Sequence, residues 1–112
     1  MSTDINDSST LSGVLQQAEL VQYQTGSIVS RMLIKKPSGN VTAFAFDQGE
    51  SLSEHTAPFD ALVLMIEGEA EISISIISHR VHSGQMLLLP AGQPHAVKAI
   101  TKFKMILIMI KT

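Results

Sequence analysis

Residues 84–99, GQMLLLPAGQPHAVKA, decide the fold. Met86 to Leu89 are apolar without interruption and lie between Gly84 and Pro90, so they read as a short strand buried on both faces. Pro90 and Gly92 act as turn formers, and a second strand is expected over 94–100.

The same texture continues outward. Gly49 and Gly68 bracket strand candidates at 52–57 and 60–66, and further strands are expected at 70–77, 79–82 and 103–110. Residues 71–76 alternate strictly, Glu-Ile-Ser-Ile-Ser-Ile, so one face meets core and the other meets water. Ala61 to Ile66 and Met105 to Ile110 are instead apolar on both faces, and their second face needs a cover. Ile28 to Ile34, the turn Pro37-Ser38-Gly39-Asn40 and Val41 to Phe46 read as a hairpin. Val14, Leu15 and Ala18 predict a short helix over 12–20, while residues 1–11 read as a polar tail. The chain is therefore expected to be all-β, one sandwich or barrel domain over 12–112 with a short N-terminal helix or extension.

Composition narrows the function classes. The chain has 112 residues, no cysteine and a formal net charge of −2. Disulfides, thiolate nucleophiles and cysteine metal sites are excluded, and the eight Lys and Arg form no dense cluster suited to nucleic acid or an anionic membrane. The N-terminus lacks a signal-peptide pattern and no apolar run reaches a membrane span, so a cytoplasmic protein is expected. No serine sits in a nucleophile-elbow pattern, and phosphate-binding loops are absent.

Two stretches resemble the paired motifs of the cupin superfamily, small jelly-roll β-barrels. Gly49, then five residues, His55-Thr56-Ala57 and a closing Gly68 follow its first motif in part. Gly84, Pro90-Ala91-Gly92 and His95 follow the second in spacing, with Ala99 in place of the final Asn. The resemblance implies a barrel of jelly-roll type. It also implies four metal-ligand positions, two His and a Glu from the first motif and a His from the second, which fall on His55, Ala57, Ala61 and His95. A four-residue spacing moves the Glu position to Leu62 and restores no carboxylate. Asp60 and Glu54 neighbour Ala61 and His55 and should face away along their strands.

Two of the four positions are alanine, so no metal and no cofactor is expected. Removing a His and a Glu leaves an apolar hollow with two polar groups, the usual composition of a small-molecule site. His55, His95, Ala57, Ala61 and Met65 are the expected ligand-binding residues, with Met65 in phase with Ala61. The alternative is a metal-dependent enzyme of dioxygenase or isomerase type, and the sequence leaves open whether a reaction is catalysed. His79 and His82 are expected on the surface, and the six methionines, which fall mostly in the apolar strands, are expected to fill core rather than serve a redox or metal role. The second apolar face of strands 61–66 and 105–110 predicts a homodimer unless the N-terminal segment covers it.

Overall fold

The computed structural model describes residues 13–111, so the expected tail lies outside the described residues. Among these, nine strands form: β1 (Ile28–Lys36), β2 (Gly39–Phe46), β3 (Ser51–His55), β4 (Asp60–Glu67), β5 (Glu69–Ile74), β6 (Ile77–His82), β7 (Met86–Leu89), β8 (His95–Ala99) and β9 (Phe103–Ile110). They make two antiparallel sheets, ordered β1-β2-β9-β4-β7 and β3-β8-β5-β6. This is a jelly-roll barrel. No helix of the described residues is long and apolar enough to cross a membrane.

The period-two pattern divides β4 between two cores. Ala61, Val63 and Met65 face the opposite sheet and join Ile72, Val97, Phe46 and Phe103 in the main core. Phe46 and Phe103 are fully buried and stacked, their ring centroids 4.5 Å apart. On the outer face, Leu64 and Ile66 pack with Ala43, Ala45 and Ile106 beneath Leu20 and Val21 of the N-terminal segment. The second apolar face of the five-stranded sheet is thus partly covered from within the chain.

Polar contacts fasten that cover. Lys104, only 5% exposed, donates through Nζ to the Ala18 carbonyl, and Arg31 Nη1 donates to the Leu20 carbonyl at 3.0 Å. Tyr23 Oη donates to Glu67 Oε2 at 2.6 Å, and the ammonium groups of Lys102 and Lys104 each lie 4.8 Å from the Tyr23 ring centroid. Burial, then the Glu67 carboxylate, pushes the Tyr23 hydroxyl well above its usual pKa, so it stays a donor.

Three expectations change. The helix over 12–20 is, in its described part, a single 3-10 turn at Gln17–Glu19 with no side-chain cap. A helix that short gains little from propensity, and the segment is held by its contacts with the sheet. The strand over 70–77 is broken by the two-residue turn Ser75-Ile76, with Ser75 at φ +53° and Ile76 99% exposed. The strand over 52–57 stops at His55, because Ala57 leaves the ladder and its carbonyl accepts from the Gly92 amide at 2.9 Å.

Candidate functional site

The end of the barrel where β3, β5, β7 and β9 finish is built from two facing rows. On the four-stranded sheet, His55 pairs with His95, His95 with Ile74, and Ile74 with Ile77. Residues directly opposite in an antiparallel ladder share a face, so these four side chains form one row across all four strands. Ile74 packs on the main core, which makes the row its last inner layer. On the five-stranded sheet the matching layer is Leu89, Ala61 and Met109, again joined by register.

The turns set this geometry. Pro90-Ala91-Gly92 carries the chain from β7 to β8, and the Asp60 carboxylate accepts from the Ala91 amide at 2.8 Å. Asp60 is thereby tied to the loop next to the row. Ser75 donates through Oγ to Gln93 Oε1 and through its amide to the Pro94 carbonyl, both at 2.8 Å. The β5–β6 hairpin is in this way anchored to the residues leading into His95.

The imidazoles meet edge to face with centroids 4.3 Å apart. His55 Nδ1 lies 3.1 Å from the Ser53 carbonyl and His95 Nδ1 lies 3.4 Å from the Gln93 carbonyl. A carbonyl only accepts, so in the neutral rings the proton sits on Nδ1 and Nε2 keeps its lone pair. Desolvation, and secondarily His55, moves the His95 pKa below 6.5 against the opposing contact with the Gln93 carbonyl, so His95 is neutral at pH 7.

Of the five expected site residues, the structure brings His55 and His95 together and sets Ala61 in the facing layer. Ala57 lies in the β3–β4 loop, and Met65 is two layers deeper, 4% exposed and paired with Met105 in the core. Ile74, Ile77, Leu89 and Met109 were missed, because only the register across the sheets reveals them. His79 is also corrected: it is half-buried and opposite the fully buried Ile72, which puts it on the inner face, while His82 is exposed.

Among the described residues no three His, Cys, Asp or Glu side chains converge as a metal site. Three hollows, of about 460, 410 and 160 Å³, lie elsewhere: against β6 and β7, beneath the N-terminal segment, and on the outer face near Ile34. His55 and Ile77, at the two ends of the row, are exposed and His95 is half-buried, so the row is open to solvent.

Two antiparallel sheets closed into a jelly roll, with paired histidines at one end, define a small β-barrel of the cupin class. The cupin domain model matches residues 43–111, and the chain belongs to that family. A conserved protein of unknown function from Streptococcus pyogenes is 35% identical, with a TM-score of 0.86 over 90% of this chain and 89% of its own. A cupin superfamily protein from Desulfitobacterium hafniense is 28% identical, with a TM-score of 0.86 over 90% of this chain and 93% of its own. A cupin 2 conserved barrel domain protein from Leptotrichia buccalis is 44% identical, with a TM-score of 0.81 over 84% of this chain and 46% of its own. No curated protein matches.

Proposed function

We propose that the chain is a small-molecule-binding cupin whose mouth holds its ligand through His55 and His95 without a metal. The observation that carries this reading is the row His55-His95-Ile74-Ile77, two hydrogen-bonding rings continuous with an apolar floor. The row carries no Lys, Arg, Asp or Glu. With Nδ1 turned to backbone carbonyls, the rings offer acceptor lone pairs, so the ligand is a small apolar molecule bearing a hydroxyl or amine donor.

Phenol and benzoate are the probes. In two-dimensional NMR titrations, phenol should shift the His55 and His95 ring protons and the Ile74 and Ile77 methyls, and benzoate should not. Protonation converts the His95 acceptor into a donor. Burial lowers its pKa, so phenol binding should be retained at neutral pH and weaken as acidification protonates the ring, at a pH below that at which an unburied imidazole titrates. Binding of benzoate in preference to phenol, or shifts confined to another face, would remove the reading.

A further inference from the structure

The layer of the five-stranded sheet that faces the histidines does not end at Met109. Register continues it to Asn40 of β2 and Lys35 of β1, so the row reads Leu89, Ala61, Met109, Asn40, Lys35. Along β2, Phe44 and Phe46 pack on the main core while Val41, Ala43 and Ala45 pack on the outer one, which puts Asn40 in phase with the inward set. Thr42, 7% exposed on that same inner face, donates through Oγ1 to Asn40 Oδ1 at 3.5 Å. The other end of the Asn40 carboxamide is its amino group, which only donates.

Lys35 owes its place to an irregularity in β1. Val29 and Leu33 pack on the outer face, and in an unbroken strand Lys35 would follow them. The bulge between Met32 and Ile34 shifts the phase, pairs Ile34 with the outward Val41 and turns Lys35 to the side of Asn40. The hollow lined by both β6 and β7 sets those two sheet edges side by side, so β1 and β3 fall on the opposite side of the barrel. The polar ends of the two rows therefore share one corner of the mouth, and their chemistries are opposite. His55 and His95 offer lone pairs, while Asn40 and Lys35 offer only N–H donors at their free ends. Resting on the small-molecule reading above, we infer that the ligand is a hydroxy acid with a small apolar body, its hydroxyl donating to the imidazoles and its carboxylate accepting from Asn40 and Lys35. Two neighbouring donors suit the two oxygens of a carboxylate, and hydrogen bonds to a charged group are the stronger kind. Lys35 is exposed, and an exposed charge alone contributes little, so benzoate, which lacks the hydroxyl, stays a poor ligand.

The full chain, titrated by NMR at neutral pH, should bind para-hydroxybenzoate about tenfold more tightly than phenol, the scale of one hydrogen bond to a charged group. The acid should also shift the side-chain amide signals of Asn40, which phenol should leave in place. Asn40→Ala and Lys35→Gln should each cut the ratio of the two affinities, and together bring it near one. A substitution that merely loosened the barrel would weaken both ligands and preserve the ratio. Salt at about 1 M, where charges are screened beyond about 3 Å, should shrink it as well. Equal affinity for the two ligands in the native chain, or a ratio that survives the double substitution, would overturn the inference while phenol still bound at the histidines. Failure of phenol itself to bind would bring down the reading of the mouth, and the inference with it.

Discussion

Gly68→Ala is expected to remove most of the stability of the fold, by more than about 4 kcal/mol, where natural domains have about 5–15 kcal/mol in total. Gly68 is the single residue between β4 and β5, where the chain leaves one sheet for the other. Its φ of +80° is disfavoured for any residue with a Cβ. The backbone strain alone costs about 1–2 kcal/mol. Steric overlap costs more: an added Cβ would sit 2.1 Å from the Lys102 carbonyl oxygen and 2.7 Å from Phe103 Cα. Both are backbone atoms, so relief would need β9 to move. Gly92, also at positive φ, has nothing within 4 Å of such a Cβ and serves as the control, expected to lose only the cost of backbone strain. Urea unfolding monitored by circular dichroism measures both. A Gly68→Ala protein within about 1 kcal/mol of the parent would show that the crossover is not packed as described.

Phe103→Ala should lower stability by about 3–5 kcal/mol. Its ring is fully buried, stacks on Phe46 and leads into the strand at the centre of the five-stranded sheet. Truncation forfeits the burial and leaves a cavity between two sheets that cannot approach each other freely. Ile76, 99% exposed on the β5–β6 turn, is the contrast, and Ile76→Ala should change stability by less than about 0.5 kcal/mol. Thermal and urea unfolding of the pair would measure the difference, and equal effects at the two positions would contradict the assignment of Phe103 to the core.

Much of this architecture can be read from residue order. The two-faced runs 61–66 and 105–110 became β4 and β9, neighbours in the five-stranded sheet, with the main core on one face and the N-terminal segment over part of the other. The Pro37-Ser38 turn was visible in its residue types. The break at Ser75-Ile76 was not: Ile76 continues the alternation of β5, and neither residue is Gly, Asn, Asp or Pro. Contacts distant in sequence hold that turn, from Ser75 to Gln93 and Pro94. His55 and His95 stood out by motif spacing, yet the row they belong to depends on ladder register, which brings Ile74 and Ile77 beside them. Ala57, expected beside His55 from motif spacing, lies off the strand for a local reason, since β3 ends before it and its carbonyl serves the Gly92 turn.

The barrel mouth is proposed to work through two imidazoles and an apolar floor, with no metal between them. Elemental analysis of protein purified without chelator or histidine tag tests this most directly. Well under one equivalent of Mn, Fe, Ni, Cu or Zn is expected, with a melting temperature that EDTA leaves unchanged. A metal held at a hundredfold excess over its dissociation constant would add about 2.7 kcal/mol, an effect that chelation would expose as a fall of several degrees or more. Stoichiometric metal, lost on His55→Ala or His95→Ala, would contradict a metal-free mouth.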